Sequence, residues 1–438
     1  MANLSAEKAT TPEFSVTPNY RRYVLGILVT VYTFNYLDRQ ILSILLQPIK
    51  EDMGLSDTAL GFLTGVVFAI FYATLGLPIA RFADKANRKM IVSGSLAIWS
   101  GMTALCGTAQ NFWQLAAYRI GVGVGEAGGS PPSYSLLSDY YAPEERATAL
   151  ATYALGVPFG ILFGYALGGI INDLFDWRTA FFVVGLPGVL LAVVVWFTVK
   201  EPPRGLSEGK VEANAAAPDA PPMMEVVRHM WGQRTLRHVI MGGTLTSFVG
   251  YGFVIWAPSF LIRSHGMSVG DVGLALSLII GISGGIGTYF GGWFADKLGK
   301  KDIRWRSWVV AIPIVVSLPF GVGMYLSDNI TFVLIFMIIP GAVGSLFLGP
   351  SLAMVQGLVT VRMRAFAGAV FLFVLNLIAL GLGPQLVGLL SDMLIPAFGD
   401  DSLRYALLFS SVLNIWAALH YVLAARTLAE DTAKMETL

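Results

Sequence analysis

The sequence predicts an all-α membrane protein with twelve transmembrane helices in two pseudo-symmetric six-helix bundles. Three observations predict it. The 438 residues are 55% hydrophobic and only 13% charged, where a soluble domain carries about 25% charge. Apolar runs of about 20 residues, each able to cross a hydrocarbon core of about 30 Å as a helix, recur along the whole chain. The two halves also repeat the same charged landmarks in the same order.

Counting apolar runs between polar breaks places the spans at 21–47, 57–83, 89–109, 111–138, 147–173 and 178–199, then 235–264, 269–297, 306–326, 329–358, 362–393 and 402–426. Residues 1–20 form a polar cytoplasmic tail without the apolar stretch of a cleavable signal peptide. The six-helix units occupy 21–199 and 235–426, and 427–438 is a second cytoplasmic tail. Between the units, 200–234 opens with KEPPRGLSEGKVEANAAAPDAPP, rich in Pro, Ala and charge, which reads as a cytoplasmic linker. Its end, 223–234, reads as an amphipathic helix on the membrane surface, with plain linker as the alternative.

Basic residues set the orientation. Alternate loops hold only Lys50, Arg178, Arg263 and Arg404, and Arg39 and Arg119 lie within spans. The remaining loops and both termini carry the rest of the 29 Lys and Arg. The positive-inside rule then places both termini in the cytoplasm, in a bacterial-type inner membrane. A net charge of +1 argues against a nucleic-acid partner, and Cys106, the single cysteine, excludes an intrachain disulfide or thiolate cluster. His229, His238, His265 and His420 do not cluster in sequence, so no metal site is expected. No nucleophile–base arrangement is visible, so the chain is not read as an enzyme. Its expected partners are membrane lipids and a small-molecule or lipid substrate, with the monomer as the functional unit and no cofactor beyond a coupling proton.

The landmarks that repeat are specific. ARFADKANRK (80–89) recurs as GWFADKLGKK (292–301). Arg146-Ala147 recurs as Arg364-Ala365, and Arg178 corresponds to Arg404. On these motifs the chain resembles the major facilitator superfamily over nearly its full length. The copy with Asp296 and Lys297 fits the family's G-x-x-x-D-K-x-G-K-K signature. The first copy departs from it, with Ala80 and Asn87 where glycines are usual. The resemblance implies a cytoplasmic gate in which the motif aspartate caps a helix N-terminus and its arginine reaches a carboxylate on the fourth helix. The matching residues are Arg81, Asp84, Arg88, Asp139, Arg146, Asp296, Lys297 and Arg364.

Four charges stand out near mid-span in the first and fourth helices. Asp38-Arg39 interrupts YVLGILVTVYTFNYLDRQILSILL, and Arg119 and Glu126 lie in the fourth span. Each costs about 2.5–3.5 kcal/mol at mid-membrane on insertion scales, so such residues are seldom present without a role. Arg119 and Glu126 are two helical turns apart and share a face, whereas Asp38 and Arg39 point about 100° apart. A mid-membrane carboxylate beside an arginine has two states, ionised and paired or protonated and released. This makes Asp38 the expected protonation site, with Glu126 tuning or relaying. Arg39 or Arg119 alternately pairs with a carboxylate and anchors an anionic substrate group. A permanent ion-pair network welding the first and fourth helices is the competing reading.

N-Y-L-D-R, with Asn35, Asp38 and Arg39, and R-I-G-V-G-V-G-E-A, with Arg119 and Glu126, resemble the Spinster-type branch of the superfamily. That branch is associated with lysophospholipids and sphingoid lipids, and some members are proton-coupled. The mid-span positions of the second half carry no charge, only groups such as Tyr251 and Asn376 with aromatics including Trp256. Asn35, Arg39, Arg119, Tyr251, Trp256 and Asn376 are therefore the expected substrate contacts. The expected function is proton-coupled, rocker-switch transport of an amphiphilic lipid-like molecule or organic anion. The alternatives are a small-carboxylate symporter, a polyspecific drug exporter, or a receptor on a transporter scaffold. Gly123, Gly125 and Gly128 fit G-x-G-x-x-G literally but lie inside a span, where close helix packing explains them better than a nucleotide. Gly156, Gly160, Gly164 and Gly168 give the fifth span a small-residue ridge.

Overall fold

The computed structural model describes residues 17–83, 85–208 and 222–436, and among these the secondary structure is helical with no strand. We number twelve rods. They are α1 (Pro18–Met53), α2 (Asp57–Ala83), α3 (Arg88–Cys106), α4 (Phe112–Glu126 and Ser130–Tyr140), α5 (Pro143–Leu174) and α6 (Trp177–Thr198). The second unit has α7 (Arg234–His265), α8 (Val269–Gly299), α9 (Trp305–Leu326) and α10 (Ile330–Gly357). It ends with α11 (Arg364–Val374, a π-helical Leu375–Leu380, and Gly381–Phe398) and α12 (Ser402–Ser411 and Leu413–Glu436). A connector helix, Met223–Gly232, precedes α7.

Short polar side chains start the rods where the chain turns. Thr17, Ser56, Asn87, Asn111, Asp176 and Ser268 each accept a backbone N–H from the first turn of the helix that follows. Gly54, at φ 65°, ends α1 in the left-handed conformation that glycine adopts without a Cβ penalty. Among the described residues, nine segments qualify alone as membrane spans by length and hydropathy. The last of these, Phe366–Met435, folds back at Gly399–Asp401 and so holds two rods. The rods that do not qualify are α1 and α4, which carry the buried charges.

Packing repeats between the units. α1 lies on α5 as α7 lies on α11, α2 on α4 as α8 on α10, and α3 on α6 as α9 on α12. The α5 ridge fits α1 closely, since a Cβ on Gly156, Gly160 or Gly164 would meet Tyr32, Tyr36 or Gln40 at 2.7, 2.4 or 2.7 Å. Gly125 lies against the backbone of Trp99 in the same way, so helix packing accounts for that glycine run. The units meet through α2 with α11 and α5 with α8, pairings that the same pseudo-two-fold axis exchanges. Of the connector helix, Val226 and Met230 are buried against the second unit while Met224 and Trp231 are exposed.

Candidate functional site: a buried charge cluster and a closed end

α1, α2 and α4 bring the four intramembrane charges together. The Arg39 Nε donates to Glu126 Oε2 at 2.6 Å, with the Glu126 side chain fully buried and that of Arg39 13% exposed. Aromatic rings surround the guanidinium, whose Cζ lies 5.0 Å from the ring centre of Tyr36, 5.1 Å from Phe68 and 4.5 Å from Tyr72. Adjacent residues on a helix diverge, so Asp38 faces a different set of neighbours. It is fully buried, and neither carboxylate oxygen has a hydrogen-bond partner among the described residues. Thr103 of α3 stands beside it without reaching hydrogen-bond geometry, and Arg119 acts on it across space. Arg119 is itself buried, with Nε and Nη1 unpartnered and its Cζ 5.3 Å from the Phe68 ring. Asn35 is buried in the same cluster.

Tyrosines pack alongside the cluster. Tyr32 stacks on Tyr153 at 4.5 Å between ring centres and meets Tyr36 edge-on at 5.3 Å, and Tyr134 packs on Tyr153 at 5.2 Å. The sequence reading named none of these four. The spacing of Tyr32 and Tyr36, one turn apart and one turn before Arg39, is the signal that could have found them. Tyr251 and Asn376 of the second unit are half-buried. Trp256 is a correction. It is fully buried and donates its indole N–H to the Pro384 carbonyl at 2.9 Å, so it ties α7 to α11 instead of offering a wall to a substrate.

The largest omission of the sequence reading is the end of the molecule remote from the termini, where the units are bolted together. Arg263 of α7 donates to both oxygens of Asp57 at 2.6 and 2.8 Å, and Lys50 and Ser391 donate to the same carboxylate at 2.5 and 2.6 Å. Asp392 of α11 accepts the backbone N–H groups of Asp57 and Thr58 at 3.0 and 2.7 Å, capping α2 from the opposite unit. Backbones touch here. A Cβ on Gly388 would lie 2.2 Å from the Asp57 carbonyl, one on Gly65 2.3 Å from that of Gly381, and one on Gly273 2.3 Å from that of Tyr165. In sequence Arg263 is only an outer-loop charge, and Asp57 and Asp392 carry no motif.

At the terminal-bearing end the two motif copies differ. Arg88 is buried and forms ion pairs with Asp139 and with Glu201 Oε1 at 2.7 Å, and it also donates to the Pro202 carbonyl at 2.9 Å. Arg146 donates to the Ser138 carbonyl at 2.9 Å, and Arg81 donates to the Met223 sulfur of the connector helix at 2.9 Å. Asp84 lies outside the described residues. In the second unit Asp296, Lys297 and Arg364 are exposed, and Lys297 sits over the Trp293 ring at 4.3 Å. The latch geometry expected around Asp296 and Arg364 is therefore not formed in this conformation, because the units are joined at the other end.

The repeated six-helix units, with charges in the membrane-crossing part and joints at one end, define a polytopic transporter. The chain belongs to the Major Facilitator Superfamily, whose family model matches residues 28–384. Within it the chain is of Spinster type and is not an enzyme. It is similar to a solved bacterial homologue of the human lysosomal transporter Spinster, in an inward-facing and unoccupied conformation. The TM-score is 0.86 at 29% identity, covering 95% of this chain and 99% of that one. It is 34% identical over 412 residues to an MFS-type efflux pump of Mycolicibacterium smegmatis, covering 93% of each chain. Human protein spinster homolog 1 is 27% identical over 409 residues, covering 86% of this chain and 74% of that protein.

Proposed function

We propose that this transporter moves an amphiphilic, lipid-like molecule or organic anion by alternating access, with proton binding at Asp38 driving the cycle. The observation that carries this reading is the contrast between two carboxylates in one buried cluster. Glu126 has Arg39 as a counter-ion, while Asp38 has neither an ion pair nor a hydrogen bond among the described residues. An isolated ionised carboxylate in an apolar interior costs several kcal/mol, so Asp38 is stable here as the neutral acid. Release of its proton creates a charge that buried Arg119, with two unpartnered nitrogens, can neutralise by closing on it. Such a movement links α1 to α4 and so links protonation to the conformation of the first unit.

Both termini lie in the cytoplasm of a bacterial-type inner membrane in this reading, from the distribution of basic loops. The bolted end then faces outward, and the protein is inward-open. The ring-lined Arg39 offers a head-group site for an anion, and the uncharged mid-span surface of the second unit suits an apolar tail. Likeness to Spinster-type proteins favours an amphiphile. The identity with an efflux pump favours a second reading, export of varied drug-like compounds, through the same protonation step.

The test is flux in proteoliposomes with an imposed pH gradient, using lysophospholipid, sphingoid base and cationic dye as substrates. Asp38→Asn should abolish gradient-driven uptake while leaving substrate exchange at zero gradient. Gradient-driven transport that persists in Asp38→Asn would sink the coupling role. Dye transport without lipid transport would select the exporter reading.

A further inference from the structure

The four histidines, scattered in sequence, do not all stay apart in space. His238 of α7 and His420 of α12 approach with Nδ1 to Nδ1 at 3.0 Å, ring centres 5.2 Å apart and ring planes inclined by 43°. Both rings are half-buried in the seam between these helices, and the Trp416 ring lies 5.9 Å from that of His420. The seam is held in register on the side nearer the termini. There Thr235 Oγ1 meets Thr427 Oγ1 at 2.7 Å, and the Thr235 backbone N–H donates to Asp431 Oδ2 at 3.0 Å.

We propose that His238 and His420 form a two-imidazole site for a divalent transition metal of the Zn²⁺, Ni²⁺ or Cu²⁺ class. Two imidazole nitrogens bound to Zn²⁺ at about 2.0–2.1 Å in tetrahedral geometry stand about 3.3 Å apart, and at adjacent corners of a square-planar Cu²⁺ or Ni²⁺ about 2.9 Å apart, so the observed 3.0 Å needs to change by only a few tenths of an ångström. Neutral imidazole suits these metals, and Cu²⁺ leads their order of affinity. His238 lies in the second turn of α7, at the terminal-bearing end of the rod, and this gives the ion its approach. Among the described residues no third His, Cys, Asp or Glu completes a larger ligand group, so solvent fills the remaining positions. The nearby Arg237 charge opposes the cation, and two protein ligands in place of four leave the site well short of a structural zinc site in affinity. A bound ion pins α7 to α12 and stabilises the second unit through preferential binding to the folded state.

The experiment is titration of the purified full chain, freed of any affinity tag, with Ni²⁺ and Cu²⁺ at neutral pH, read by calorimetry and by Cu²⁺ electron paramagnetic resonance. One equivalent should bind, give a two-nitrogen signature and raise the melting temperature. Binding should be lost in H238Q and in H420Q and kept in H229Q and H265Q. Absence of saturable binding in the native chain, or its persistence in H238Q/H420Q, would overturn the assignment and leave the pair as a His–His hydrogen bond. The Gln variants retain a polar side chain at each position, and their melting temperature without metal shows that they fold.

Discussion

Arg263 and Asp57, 206 residues apart in sequence, form a two-bonded ion pair that joins one six-helix unit to the other. The Asp57 side chain is fully buried, so its charge depends on these partners. Breaking a buried pair from one side costs about 3–5 kcal/mol, and Lys50 holds the loss near the lower end. Arg263→Ala should therefore destabilise the bolted end by about 3 kcal/mol. Distances between spin labels near residues 50 and 263 should lengthen. Unchanged distances would mean that the glycine-mediated backbone contacts alone keep that end shut.

Glu126→Gln leaves Arg39 buried without a counter-ion and should cost about 3–5 kcal/mol of stability together with transport. Arg39→Lys keeps the charge but loses the planar contacts with Tyr36, Phe68 and Tyr72, so transport should fall although the pair can re-form. The double variant Arg39→Met with Glu126→Met removes both charges and should recover most of the melting temperature without recovering transport. Full transport by the double variant would reduce the pair to a weld between α1 and α4.

Gly160 and Gly26 make opposite predictions for one substitution. A Cβ at Gly160 would lie 2.4 Å from that of Tyr36 and 2.6 Å from the Thr33 carbonyl, whereas nothing lies within 4 Å of one at Gly26. Gly160→Ala should destabilise by about 1–3 kcal/mol through overpacking, and Gly26→Ala should be neutral or stabilise by up to about 1 kcal/mol. Melting temperatures in one detergent decide it. Equal shifts would mean that α1 and α5 can separate without penalty.

Asp176 caps α6 from outside the span, accepting the Thr179 N–H at 2.6 Å, and that bond holds its carboxyl below the usual range. A depressed folded value means the stabilisation is present above the unfolded carboxyl range and is lost as pH falls through the depressed one. Asp176→Ala should cost about 1 kcal/mol at neutral pH, and Asp176→Asn, which keeps the cap, much less. The difference between the two variants should shrink in acid. Equal melting temperatures for native and Asp176→Ala protein at pH 7 would show the cap to be idle.

Most of the fold was legible because hydropathy and charge act along one dimension. Apolar length gave the rods, and the copies around 80–89 and 292–301 gave the duplication. The charges of α1 and α4 stood out against an apolar background. Helix rotation and long-range partners were not legible, since they depend on which faces meet. Hence Arg39 could not be assigned to Glu126, and Trp256 was taken for a cavity wall although it bonds to Pro384. The joint at Asp57, Arg263 and Asp392 is not legible in sequence because ordinary residues become a joint only when chain segments more than 200 residues apart converge. His238 and His420 were hidden in the same way, 182 residues apart.

The two rods that do not qualify as spans by length and hydropathy, α1 and α4, are those whose charges meet at Arg39 and Glu126. This bears on how the protein is made. During synthesis α1 emerges first, with Asp38 and Arg39 at a depth where lipid penalises both, and Glu126 follows only after about 90 further residues. Neither rod is at ease in lipid alone, so the insertion machinery has to shelter α1, or let it sit shallowly, until α4 arrives. The Arg39–Glu126 pair thus ties the first rod to be made to one made three rods later, and each charge meets its partner only once both are in place.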